Sequence, residues 1–206
     1  MPMDRKGDEE FAKAIARNEG KVFSGAMFFH SRETGLKEEI LPAPIFKDVT
    51  RIRSLNGSAN PFALSAELVY ADKFAGKVTP SVSADIAGYE GPLGKRYLPD
   101  WTIQVKTVPT VSAVDLINGK IGADRLRGKT VIVGITTEQS DYVQIYGQGW
   151  FPGVYVHAIG AQTLKEGSPQ DIGWIPPLLV ASLLAALTLY ARNRKVVWSI
   201  AGLAVL

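Results

Sequence analysis

Residues 172–191 are 20 consecutive positions without Asp, Glu, Lys or Arg, and the four that follow, Arg192-Asn193-Arg194-Lys195, hold three cations. A helix of that length rises ~1.5 Å per residue and reaches ~30 Å, the thickness of a bilayer's hydrocarbon core. Trp174 stands at one end, where an indole suits the membrane interface, and the cations stand at the other. Pro176 and Pro177 fall in the first turn, where a missing amide proton is tolerated. The competing reading is a helix buried in a soluble core, but such helices are usually shorter and carry a polar residue or two. Residues 172–191 are therefore expected to form a transmembrane helix in contact with the lipid bilayer. Residues 196–206 are again uncharged but number only 11, too few to cross alone, and read as the start of a second crossing. The cationic residues 192–195 then form a cytoplasmic loop, which puts residues 1–171 on the extracytoplasmic side. The first ten residues are polar and charged, with no apolar run like a signal peptide or anchor. The expectation is of a chain incomplete at both ends, lacking a leading membrane segment.

The charge balance supports this division. With the three cations of residues 192–195 set aside, the remaining 20 basic residues equal the 20 acidic ones, all of which lie in residues 1–171. The body is neutral and has no basic face for nucleic acid. Cysteine is absent, which excludes a disulfide framework, a thiolate metal site and a cysteine nucleophile. His30 and His157 are too few for a multi-histidine metal centre, so no metal or cofactor is expected. The 46% apolar and 21% charged content is that of a folded globular chain.

Along the body, residues 8–20 read as a helix capped by Asp8 and ended by Gly20. Residues 22–29 read as a strand buried on both faces, with His30 a solvated or hydrogen-bonded strand end, and 31–44 as a charged loop. Asn60-Pro61 reads as the opening of a helix to about Phe74, since Pro suits the first helical position and Gly76 follows. Residues 76–100 read as loop with one short strand. Alternation in 101–106 predicts a strand, Ser112-Ala-Val-Asp115 a capping box opening a helix to Gly119, and Thr130-Val-Ile-Val-Gly-Ile135 the clearest strand in the chain. A loop over 136–152 and a helix over 153–165 follow. Strands separated by helices predict an α/β (or α+β) domain with a largely parallel sheet.

The familiar catalytic motifs fail on spacing or order. Gly128-Lys129-Thr130 imitates the end of a phosphate-binding loop, but position 123 is Ala and the tripeptide precedes a strand instead of following one. Gly88, Gly91 and Gly94 do not make a dinucleotide fingerprint, and neither a serine-hydrolase elbow nor the loops of a kinase core are found. The loop 136–152 is the informative segment, since α/β proteins place ligands where a strand's C-terminal end leads to a helix. Asp141 is read either as a ligand contact or as a local turn or cap. Tyr142, with Tyr146, Trp150 and Phe151, is read either as a ligand contact or as packing and membrane-surface contact. His157 shares a helical face with Val154, Ala158, Ala161 and Leu164, which predicts a packed, hydrogen-bonded ring, with ligand or proton sensing the alternative.

The run Val111-Ser-Ala-Val-Asp-Leu-Ile-Asn-Gly119, then Leu126-Arg-Gly-Lys-Thr-Val-Ile-Val-Gly134, Asp141 and Pro152-Gly-Val-Tyr-Val-His-Ala158, with the apolar segment next, resembles the second type of CHASE domain. The name stands for cyclase/histidine-kinase-associated sensory extracellular domain. The resemblance extends from about Asp8 to the C-terminus and is specific over 111–166. It implies a bacterial receptor with an N-terminal anchor, this extracytoplasmic sensor, a few membrane helices and a cytoplasmic output module such as a nucleotide cyclase, diguanylate cyclase or kinase. Asp141 and His157 match motif positions without an assigned chemistry. Where members often have Ile-Asn-Tyr near Ile103 and an acidic residue within the Pro-Gly-Val stretch, this chain has Ile103-Gln-Val105 and Tyr155. The expected function is ligand sensing and signal transmission in the cell membrane, non-catalytic within this chain, by a homodimer that binds an unknown small molecule. The alternatives are a fragment of a membrane-bound cyclase or kinase and a ligand-independent dimerisation domain.

Overall fold

The computed structural model describes residues 5–30, 35–60, 65–136, 142–145, 147–167 and 175–190. It divides into two units, Met1–Pro169 and Gln170–Leu206.

In the first unit, helix α1 (Arg5–Ala16) starts ahead of the expected Asp8 cap, so Asp8 lies within its first turn. Ala12 and Ile15 are its buried side chains, and Phe11 meets Phe46 of the short helix α2 (Pro44–Lys47) edge-on at 5.6 Å. Strand β1 (Phe23–His30) is the centre of a three-stranded sheet, with β2 (Lys37–Ile40) antiparallel on one edge and β3 (Arg51–Ser54) parallel on the other. The expected loop after β1 thus includes an edge strand whose side chains are all exposed.

The expected helix from Asn60 to Phe74 is not formed. Its described residues belong to β4 (Gly57–Asn60), β5 (Ser65–Val69) and β6 (Ala71–Phe74). β5 pairs antiparallel with β4 on one side and with β8 (Arg96–Tyr97) on the other, and β6 forms a hairpin with β7 (Lys77–Pro80). Local helix signals lose here to cross-strand pairing and a turn that commits the chain: Ala75 and Gly76 both take positive φ, 46° and 80°, the geometry of a two-residue hairpin loop. The stretch expected to be loop over 76–100 also holds a helix, α3 (Val82–Ala87), whose Ser81 side chain accepts from the Ala84 amide.

Residues 101–106 are not a strand. They form a loop ending in a 3-10 turn at Val105–Thr107, and the Gln148 side-chain amide clamps it by donating to the Trp101 and Ile103 carbonyls at 3.0 and 2.9 Å and accepting from the Val105 amide at 2.8 Å. Helix α4 (Ala113–Ile117) forms where expected, with Ser112 as its N-cap accepting from the Asp115 amide. Residues 130–135, expected as the best strand, run without a ladder partner among the described residues. The expected loop 136–152 contains a hairpin of β9 (Tyr142–Ile145) and β10 (Gly149–Pro152). Helix α5 (Gly153–Glu166) follows as expected.

The result is an α+β domain of small sheets. β1–β3 is the only parallel strand pair among the described residues, so the largely parallel sheet is corrected: most connections are hairpins, which force antiparallel pairing. The core lies around α5, where Val156, Ile159 and Leu164 pack with Leu68, Ala84, Tyr97, Val105 and Ile145. Gly160 lets α5 approach closely, since a Cβ there would lie 2.4 Å from Leu68 Cδ1, 2.8 Å from the Tyr97 hydroxyl and 3.0 Å from Ser83 Oγ.

The second unit is described over helix α6 (Ile175–Tyr190), 16 residues or ~24 Å long. Among the described residues no helix is long and apolar enough to cross a membrane. The flanks that would complete the expected 172–191 span, and the second apolar segment, lie outside the described residues.

Candidate functional site

The first unit carries a half-open cavity of about 650 Å³ between β1 and residues 131–135. Phe11 and Ile15 of α1 and Phe46 of α2 contribute one wall, and the first turns of α5 contribute Val154 and His157. Its size falls in the range of small-molecule sites, about 300–1,000 Å³, and such sites pair apolar walls with a few placed polar groups.

The polar groups come from the open edge of β1. On the β3 side, the Val22 and Ala26 carbonyls accept from the amides of Arg51 and Leu55 at 3.1 and 2.8 Å, and the Phe28 amide donates to Asn56 Oδ1 at 2.9 Å. Backbone groups alternate sides along a strand, so the N–H and C=O of Phe23 and Gly25 point to the other edge. β2 covers that edge only from Met27 to His30, so Phe23 and Gly25 are left facing the cavity. Across it, residues 130–135 make no backbone hydrogen bond among the described residues. Val133 and Ile135 are 85% and 71% exposed, unusual for so apolar a run. Gly134 fixes the near end of this segment: a Cβ there would come within 2.6 Å of Val154 Cβ, so its backbone lies directly on the first turn of α5.

Of the sequence candidates, His157 is half-buried and lines the cavity, while its carbonyl accepts from Ser83 Oγ at 3.0 Å. Tyr142 does not line the cavity; its hydroxyl lies 3.5 Å from the Thr136 carbonyl. Asp141 lies outside the described residues, as does Tyr146. Trp150 is 63% exposed, whereas Phe151 packs against the core and edge-on to Tyr155. The Tyr155 hydroxyl lies 3.3 Å from Thr110 Oγ1, so the position that departs from the family pattern carries a local hydrogen bond. Sequence reasoning missed Phe11, Ile15, Phe46 and the free edge at Phe23 and Gly25. A strand signal at 130–135 with no assigned partner was the hint available.

Two further polar features lie outside the cavity's lining. Asp85 of α3 accepts from Arg53 at 2.7 Å and from Arg51 at 3.2 Å, with the Arg53 side chain only 9% exposed. Burial pushes the Tyr97 phenol well above its ordinary value, with proximity to Tyr70 adding and the nearby Ser83 hydroxyl opposing.

The α+β body thus carries a largely apolar pocket, bounded by an open strand edge and the N-terminal turns of its central helix, of a size common to small-molecule sites. The chain belongs to the CHASE2 domain family, whose model matches residues 2–204, well beyond the region where the sequence resemblance is specific. It is a family of sensory extracellular domains. No curated protein and no solved structure matches the chain.

Proposed function

We propose that this chain is the ligand-sensing and signal-transmitting part of a bacterial transmembrane receptor, with residues 1–171 outside the cell membrane. Residues 172–191 cross the bilayer, 192–195 form a cytoplasmic loop and 196–206 begin a second crossing. The chain itself is non-catalytic, works as a homodimer and passes its signal to a cytoplasmic output module. Membership of a sensory family supports the reading, and the observation that carries it is the cavity resting on the first turns of α5. An occupant of the cavity touches Val154 and His157 directly, and α5 ends at Glu166, shortly before the apolar segment begins. The walls suit a compact apolar molecule with one hydrogen-bonding group, received by Phe23, Gly25 or His157. Asp141 and Tyr142, which lie in sequence between 130–135 and α5, are proposed as ligand contacts.

Signalling by such a module requires the ligand to prefer one of two states. Thermal unfolding with a panel of small apolar molecules tests the site: a true ligand raises stability by about 2.7 kcal/mol at 100 times its Kd. The Asp141→Ala variant should lose that gain while keeping its ligand-free melting point. Failure of every compound, or an Asp141→Ala variant already destabilised without ligand, argues against the assigned contacts. Sidedness is read by placing the chain's one cysteine at Ser31 and labelling cells with a membrane-impermeant maleimide. Labelling only after lysis refutes the extracytoplasmic placement.

A further inference from the structure

The geometry points to a latent fourth strand: residues 131–135, which stand apart from β1 across the cavity in this structure, have a second state in which they close onto its free edge at Phe23 and Gly25, and an occupant of the cavity blocks that closure. As regulation of the site this rests on the cavity being the ligand site, whereas the pairing itself does not.

The two partners are complementary and each is incomplete. Val131, Ile132, Val133 and Ile135 are β-branched, the residue type that favours strands. Their backbone donors and acceptors are unmatched among the described residues, and much of their apolar surface meets water. Opposite them lie the outward N–H and C=O of Phe23 and Gly25, beside the apolar side chains of Phe11 and Ile15. Closing the gap satisfies both edges and removes the exposed apolar surface in one movement, which stabilises a closed state beside the open one seen here. β2 caps the same edge from Met27 onward, so a docked strand has room only against the first half of β1.

The connection to α5 is what gives the movement a consequence. Gly134 sits against Val154 with no space for a side chain, so a shift of 131–135 toward β1 removes a backbone support from the first turn of α5. Occupied and empty cavities then differ in how that helix begins. The segment and the ligand compete for one space, which supplies the differential affinity that a two-state signal needs.

The chain lacks cysteine, so engineered pairs report without background. With no ligand added, Ser24→Cys is combined in turn with Ile132→Cys and with Val133→Cys, and each variant is mildly oxidised. One combination is expected to form a disulfide and the other not, because adjacent residues of a strand point to opposite faces. In parallel, hydrogen exchange on the unsubstituted chain is expected to slow the amides within 131–135 by on the order of 100-fold or more relative to an unstructured peptide. Exchange at the unstructured rate overturns the proposal, and so does protection without either disulfide, since the partner would then not be β1. The ligand reading is judged separately. A thermal shift without pairing removes the strand and leaves the site, and pairing without any thermal shift removes the site and leaves the strand.

Discussion

Replacing Gly160 by Ala sets two magnitudes of opposite sign against each other. In an exposed helix the change stabilises by about 0.5–1 kcal/mol, because glycine is the more flexible residue when unfolded. In α5 the new methyl would stand 2.4 Å from Leu68 Cδ1, 2.8 Å from the Tyr97 hydroxyl and 3.0 Å from Ser83 Oγ. Optimal carbon–carbon contact is about 3.5–4.0 Å, so Leu68 must retreat by more than ~1 Å. It has nowhere to go: Leu68, Tyr97 and Ser83 are 2%, 5% and 0% exposed. Overpacking of this kind costs about 1–3 kcal/mol, and shifting Ser83 also strains its bond to the His157 carbonyl. The expected net effect is a loss of ~1–2 kcal/mol, read as a lower urea midpoint by Trp fluorescence. A double-mutant cycle identifies the cause, since Leu68→Ala should cost less in the Gly160→Ala background than in the parent. An unchanged or higher midpoint in Gly160→Ala would refute the close approach of α5.

Three further outcomes follow from named groups. Tyr97 has a folded-state pKa raised above its unfolded value of about 10, so its contribution is fully present below pH ~10 and is lost as pH rises beyond it. Unfolding free energy should fall by up to about 1.4 kcal/mol per pH unit in that window, and a Tyr97→Phe variant that kept the same slope would sink the assignment. Asp85→Asn leaves the nearly buried Arg53 without its counter-charge and should destabilise by about 3 kcal/mol in urea titrations; a change below ~0.5 kcal/mol would mark the pair as solvated. His157→Ala should lower stability by about 1–3 kcal/mol, as for a packed polar side chain, and a neutral outcome in calorimetry would overturn that packing.

Sequence patterns revealed the parts of the fold whose determinants are local. The capping serine at Ser112 and the run leading to α5 both carry their signals within a few residues, and α4 and α5 form where expected. The helix expected from Asn60 to Phe74 failed because its outcome depends on partners far along the chain: Leu68 and Val69 pair with Tyr97 and Arg96. Residues 101–106 show the same effect, since one distant amide, Gln148, settles their conformation. The hairpins were not anticipated, because turn pairs such as Ala75-Gly76 lack the usual Asn-Gly signature. Within the site, His157 was legible from its place on α5. The opposing wall was not, because α1, α2 and β1 meet it only after long-range folding.

The outer strand β2 bears on how two such chains can meet. Its side chains are all exposed, Lys37 lies 3.6 Å over the Phe28 ring, and Glu39 is held by the Ala75 amide at 3.0 Å. Were two copies to join these rims antiparallel about a twofold axis, Glu38 of each would oppose Glu39 of the other. Like charges directly opposite on neighbouring strands repel. Carboxylates thus fence off this border against sideways growth into a continuous ribbon, a common safeguard for exposed strand edges. In that register the rim of β2 resists self-association.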